Sequence, residues 1–230
     1  MSEGQAQPIG LRADRHCRFC QRGYENHEYN CTGGCAAAFR TRLIGFCGPA
    51  FSGKSLAAER LIRKWRFQRV RFAGPLKAMM RALGLTEDQV DGTGKETSSD
   101  LLGGMTPRQA MQLLGTEWGR ELIHAEIWIS AWQHAVDDLH ALRRQDDAPV
   151  RLVVCDDVRF ANEARAIRAR SGIVVKIDRP GAGSASGACH ASEQLAFEPD
   201  ITIQNNGTRA DFFARIDRIA EMMREGSFDE

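Results

Sequence analysis

From Thr41 onward the chain alternates short apolar runs with stretches of helical period. The runs Leu43 to Cys47, Arg69 to Ala73, Arg151 to Cys155, Ile173 to Ile177 and Ile201 to Gln204 read as strands. Helical stretches separate most of them, an alternation that predicts an α/β fold with a parallel sheet covered by helices. Leu56 to Trp65 forms an amphipathic helix directly after the first run. Near the end, Phe212, Ile216, Ile219 and Met223 recur at helical spacing, as core contacts of a last helix do. Helix starts are written in cap chemistry: Thr106-Pro107-Arg108-Gln109 sets a hydroxyl, a proline and a glutamine where the orphan amides of a first turn need them. Thr86 and Gln89 repeat the spacing. Two Gly, Ser and Thr-rich tracts, Asp91 to Gly104 and Gly181 to Gly187, read as mobile connecting loops.

Residues 1 to 40 break the pattern. They are polar, poor in aliphatic side chains, and hold four of the seven cysteines. The chain therefore divides into a small N-terminal Cys-rich extension, residues 1 to 40, and a main domain over residues 41 to 230. In the extension, Cys17 and Cys20 with Cys31 and Cys35 could gather four thiolates around one zinc ion, which a core-poor segment would need to fold. The second pair is spaced by three residues rather than two, and His16 and His27 are available substitutes. The alternative is a disordered extension with incidental cysteines. Cys47 and Cys155 sit inside strand-like runs, where a thiol acts as a small buried hydrophobe, and the odd total suits a reducing compartment.

At 230 residues the chain is long enough for one sizeable core. Thirty-one basic against 30 acidic side chains leave a formal net charge of +1, so bulk charge favours neither nucleic acid nor membrane. No apolar run approaches the roughly 20 residues of a membrane span, and a cytosolic protein is expected.

The octapeptide after the first run, Gly48-Pro49-Ala50-Phe51-Ser52-Gly53-Lys54-Ser55, fits G-x-x-x-x-G-K-[ST] without a mismatch. Its glycines allow successive amides to turn inward around phosphate oxygens. Lys54 adds a mobile charge for the outer phosphates, Ser55 a hydroxyl for magnesium, and the helix N-terminus about half a positive charge. A second glycine-lysine cluster, Gly92 to Lys95, lacks the strand and the spacing and reads as loop.

Ligands of doubly wound sheets sit beyond the carboxyl ends of the strands, so residues just after a strand are the natural partners of this cradle. Asp156 and Asp157 end the third run, where a carboxylate can hold magnesium through water or accept a proton. Arg159 is a planar fork suited to a phosphate monoester. Structurally, Asp157 could instead cap the next helix and Arg159 lie solvated.

The segments RFAGPLKAMMRALG, QLLGTEWGRELI with Trp128 beyond it, DDVRFANEA, RPG and HASEQ, and a final NNGT together resemble the phage-type deoxynucleoside monophosphate kinases of the P-loop kinase superfamily. The likeness runs from about Thr41 to the last helix and leaves residues 1 to 40 aside. It implies a three-layer fold on a five-stranded parallel sheet, with ATP and magnesium as cofactors and a deoxynucleoside monophosphate as acceptor. Carried onto this sequence, Gly48, Ala50, Ser52, Gly53, Lys54, Ser55 and Leu56 bind the donor phosphates. Lys54, Asp157 and Arg159 are the expected catalytic residues, and Ser55, with Asp156 from its place at the strand end, the expected magnesium ligands. Arg159, Arg120, Trp118 and Arg179 contact the acceptor, Gly115 and Glu117 accompanying them, and Arg179 to Ser192 resembles a closing lid that ends near His190. Ala161 stands where the family commonly has proline.

On the residues alone, Arg120 could pair with Glu117, and Trp118, Trp128 and Trp132 could be core. Two other functions compete. One is another small-molecule kinase, such as a dephospho-coenzyme A kinase. The other is a nucleic-acid-binding NTPase that would use Arg12, Arg15, Arg18 and Arg22, against which the balanced charge argues. Expected partners are thus small-molecule nucleotides, with neither membrane nor nucleic acid, and a homodimer is left open. Resemblance to phage enzymes implies host cytoplasm as the location if the chain is phage-encoded.

Overall fold

The computed structural model describes residues 42–142, 152–183 and 196–225. Its strands are β1 (Arg42–Cys47), β2 (Gln68–Arg69), β3 (Leu152–Cys155), β4 (Ile173–Asp178) and β5 (Ile201–Gln204). They pair in the order β2-β3-β1-β4-β5, every pair parallel. The helices are α1 (Lys54–Trp65), α2 (Gly74–Ala82), α3 (Glu87–Val90), α4 (Pro107–Leu113), α5 (Ile127–Leu142), α6 (Ala161–Arg168) and α7 (Arg209–Glu225). A π-helical segment, Leu114–Ile123, continues α4.

Strand side chains alternate between two apolar cores, one on each sheet face. Ile44 and Phe46 of β1 face a cluster with Ala57, Ala58 and Leu61 of α1 and Phe212, Ile216, Ile219 and Met223 of α7. Leu43 and Cys47 face the opposite cluster, with Ile129, Trp132 and Val136 of α5 and Ala164 and Ile167 of α6. This is the expected three-layer sandwich, and the cysteines Cys47 and Cys155 are buried and free. A smaller cluster of Leu76, Met80, Leu85, Val90 and Trp128 holds α2, α3 and the start of α5 together beside the sheet.

Both threonine caps form as the pattern predicts: Thr86 and Thr106 accept from the amides of Gln89 and Gln109, whose side chains reach back. Two sequence expectations are corrected. The second strand ends at Arg69 instead of running to Ala73, because the amides of Phe72 and Ala73 donate to the Asp157 carboxylate and open α2. The tract Asp91 to Gly104 is no featureless loop. It contains two 3₁₀ turns, Thr93–Glu96 and Asp100–Leu102, and the amides of Thr93 and Gly94 close on Asp88 at 3.1 and 3.0 Å.

Helices α1 and α7 are fastened by Asp217. Its carboxylate takes Arg60 in a fork at 3.0 and 2.6 Å, Lys64 at 2.9 Å and the Trp65 indole at 2.8 Å. Burial alone would raise this carboxyl's pKa; the bonds from Arg60, Trp65 and Lys64 outweigh it and push it well below the ordinary carboxylate value. A carboxylate with a depressed folded pKa stabilises above its unfolded value, about pH 4, and loses that contribution as pH falls further. Asp217→Asn should therefore lower stability at neutral pH by about 2 kcal/mol, and the gap between the thermal melts of variant and wild type should narrow as the pH falls from about 4 towards 2. A gap of constant size down to that pH would contradict this account.

Candidate active site

The loop after β1 adopts the backbone angles that a phosphate cradle needs. Gly48 and Gly53 have φ of 130° and 110°, and Phe51 between them has φ of 63°. A side chain at Gly48 would come within 2.4 Å of the Ile177 carbonyl oxygen, so strand β4 closes the back of the loop. Ser52 is fully buried, its hydroxyl without a hydrogen-bond partner among the described residues. The Asn205 side chain, just past β5, donates to the Ser52 carbonyl at 2.8 Å. Lys54 lays its ammonium on the Gly48 and Pro49 carbonyls at 2.8 and 2.6 Å. Ala50 lies in the same loop, while Leu56 packs on the core below it.

Strand β3, beside β1, delivers the two aspartates. Asp156 is buried and clasped by Arg71 at 2.7 and 3.2 Å, with Arg69 at 3.8 Å. Burial works to raise its pKa, yet the Arg71 bonds and charge, the Arg69 charge and the Ser55 hydroxyl hold it below the usual value. An ionised carboxylate and an alcohol are oxygen ligands that fit a hard divalent cation. Among the described residues no group of three or more His, Cys, Asp or Glu could hold a metal by itself.

Asp157 has its oxygens on the Phe72 and Ala73 amides at 3.1 and 2.9 Å and accepts the Cys155 thiol at 3.1 Å. It anchors the start of α2 rather than capping the helix that follows it. Beyond it opens a cavity of about 230 Å³ whose wall includes Phe72, Trp128, Phe160, Asp157, Arg159, Arg120, Lys77, Lys95 and Arg108. Lys77 pairs with Asp91, and Arg108 with Glu96 at 2.7 Å. Burial, then the neighbouring Arg108 charge, lowers the Lys95 pKa. Arg159 reaches the wall with no carboxylate on its guanidinium among the described residues. Cationic side chains outnumber the two carboxylates of the wall, Asp157 and Glu163.

Arg120 also reaches this wall, but its partner is Glu163 at 2.9 Å, not Glu117. Its guanidinium stacks on Phe160 at 3.9 Å. Trp118 does not line the cavity: it is exposed, tilted against Trp128 with ring centroids 6.4 Å apart. Trp128 is the indole in the wall, and it donates to the Gly115 carbonyl at 2.8 Å. It lies so close to the π-helical segment that a side chain at Gly119 would meet its ring at 2.6 Å. Trp132 is core, stacked on Phe72 at 4.7 Å. Arg179 is not at the cavity either; it donates to Phe51 of the cradle at 3.4 Å. His190 and most of the lid, with Cys17, Cys20, Cys31 and Cys35, lie outside the described residues.

Sequence reasoning passed over Asn205 and Glu163. Asn205 stood in the quoted NNGT, directly after a strand that the topology brings to the cradle, and that position was its signal. Glu163 carried only the signal of a third helical position.

A phosphate cradle on the central strand of a 2-3-1-4-5 parallel sheet, beside a basic cavity at the same sheet edge, defines the P-loop kinase class. No protein-family model matches the chain. Over 187 residues it is 37% identical to a protein of Acanthamoeba polyphaga mimivirus provisionally named deoxynucleotide monophosphate kinase, spanning 76% of this chain and 93% of that one. The deoxynucleoside-5'-monophosphate kinase of Escherichia phage T5 is 36% identical over 64 residues, 28% of this chain and 22% of that protein. Among solved structures, the dephospho-CoA kinase from Campylobacter jejuni aligns at 13% identity and a TM-score of 0.43, covering 82% of this chain and 99% of that one. The chain belongs to the deoxynucleoside monophosphate kinase family. No helix among the described residues is long and apolar enough to cross a membrane.

Proposed function

We propose that the protein transfers the γ-phosphoryl group of ATP to the phosphate of a deoxynucleoside monophosphate, giving ADP and the deoxynucleoside diphosphate. The observation that carries this reading is the pairing of a glycine cradle on β1 with a separate basic cavity, of a size for one small anion-bearing ligand, just beyond β3. Family membership supports the choice of acceptor.

Phosphoryl transfer asks the protein for alignment and charge neutralisation. In this reading the amides of residues 50 to 55 cradle the donor, and Lys54 leaves the loop carbonyls for the outer phosphates. Arg179, beside Phe51, adds charge on the donor side. Arg159 and Arg120 hold the acceptor phosphate in line, with Trp128 and Phe72 as the apolar wall. Asp157 acts through position: the second pKa of a phosphate monoester is about 6, so the attacking oxygen is already ionised at neutral pH and needs no base. Ser55, with Asp156 through water, is suited to hold magnesium, which when bound neutralises charge at the β- and γ-oxygens. For the N-terminal extension, zinc on Cys17, Cys20, Cys31 and Cys35 remains our proposal, supported by the softness of four thiolates.

The test is to offer ATP and magnesium with each deoxynucleoside and ribonucleoside monophosphate, and with dephospho-coenzyme A as a competing acceptor. Diphosphate product from at least one deoxynucleotide is expected. Silence toward every monophosphate, or preference for dephospho-coenzyme A, would remove the reading.

A further inference from the structure

Glu163 is the most deeply buried charged group in the cavity wall, 2% exposed, and the fold gives it two jobs at once. One carboxylate oxygen, Oε2, accepts the amides of Arg159 at 2.8 Å and Phe160 at 3.1 Å and so closes the first turn of α6. The other, Oε1, accepts a single donor among the described residues, Nη2 of Arg120, at 2.9 Å. The first job needs no charge, since any carbonyl oxygen in that place would serve. The second brings a carboxylate to a site otherwise built to attract anions, and burying it is costly. Burial, and then the nearby Asp157 charge, pushes the Glu163 pKa up to about 7 against the pull of Arg120 and the two amides.

The cap alone does not call for the charge, because at the third helical position a glutamine reaches back to the same amides as well as a glutamate does. Holding an arginine does. A free arginine side chain has about 2 kcal/mol of rotamer entropy to lose when it clamps a phosphate. Here the guanidinium is already pinned from two sides, by Glu163 at one nitrogen and by the Phe160 ring at 3.9 Å. Only one of its five donors is engaged by Glu163, which leaves the rest of the fork for the cavity it lines.

We propose that Glu163 is a positioning residue for the acceptor phosphate: it presets Arg120, while its other oxygen fixes the turn that carries Arg159. The inference rests on the kinase reading and deepens it, assigning to Glu163 a part in acceptor binding that works through Arg120.

The experiment is a double-mutant cycle on the full chain, with melting temperature and both Michaelis constants measured for wild type, Glu163→Gln, Arg120→Ala and the double variant. Glutamine keeps an acceptor oxygen for the two amides but gives up the charge that holds Arg120. The expected result is a melting temperature close to wild type, a KM for the deoxynucleotide raised roughly tenfold and a KM for ATP within about twofold. Adding Glu163→Gln to Arg120→Ala should then change the acceptor KM no further, since the two substitutions remove the same interaction. Wild-type acceptor KM in the glutamine variant would reduce Glu163 to a helix cap, and simple addition of the two effects would show that it does not act through Arg120. Either overturns the inference while the kinase reading stands. A wild type silent toward every monophosphate would instead fail the reading itself, and the inference with it.

Discussion

Lys54→Ala should reduce turnover by roughly a thousandfold or more while leaving the melting temperature within a few degrees of wild type. The lysine is partly exposed at the first position of α1, and its ammonium bonds the Gly48 and Pro49 carbonyls of the loop, outside both apolar clusters, so its loss opens no cavity in either core. Its value lies elsewhere. In the transfer step the bond from the γ-phosphorus to the bridging oxygen lengthens, and negative charge grows on the departing ADP. A mobile cation at the cradle meets that charge, and the backbone amides alone meet less of it. Steady-state kinetics with the preferred deoxynucleotide, beside circular dichroism melts, checks both halves. Near-normal turnover in the variant would take the cradle out of the mechanism.

The second large effect is expected at Arg159. Among the cationic side chains of the cavity wall, Lys77, Arg108 and Arg120 are each tied to a carboxylate, whereas Arg159 has its backbone pinned by Glu163 and no carboxylate on its guanidinium among the described residues. Of the three arginines in the wall, Arg108, Arg120 and Arg159, it is thus the one whose fork is left whole for phosphate oxygens among the described residues. Arg159→Ala should lower kcat/KM for the acceptor by about a hundredfold to a thousandfold, with ATP affinity by calorimetry essentially unchanged. Arg159→Lys should recover only part of the loss, since an ammonium cannot grip two phosphate oxygens in one plane. A variant that lost ATP affinity in equal measure would place Arg159 on the donor side and reverse the assignment of the two pockets.

These two residues also mark what could be read without coordinates. Lys54 follows from eight consecutive residues, because a cradle is a local object: glycine angles, a strand before and a helix after are all set within one short stretch. The caps at Thr86 and Thr106, the apolar run of β1 buried on both faces and the buried thiols of Cys47 and Cys155 are local in the same sense, and the structure agrees with each. Arg159 was legible at one remove, from its place after a strand end. Arg120 was picked out while its partner was not. Glu117 lay three residues back on a helix, yet the side chain crosses to Glu163, 43 positions away.

The shortened β2 and the placing of the tryptophans follow the same rule. Nothing in the run Arg69 to Ala73 announces that its last amides will leave the ladder, because the acceptor that draws them off is Asp157, brought in by the neighbouring strand. Trp118 and Trp128 look alike in sequence, and which of them meets the cavity depends on how closely the indole of Trp128 approaches Gly119.

By itself, then, the sequence determined the class of fold, the strand, cradle and helix that bind phosphate, and the starts of the capped helices, since backbone torsion and hydrogen bonding act over a few residues. The tertiary structure alone decided which charges meet: Arg120 with Glu163, Asp156 with Arg71, Asn205 with the cradle. Those pairings join segments far apart in the chain, and only the order of the strands and the packing of helices on them brings such segments within hydrogen-bond distance.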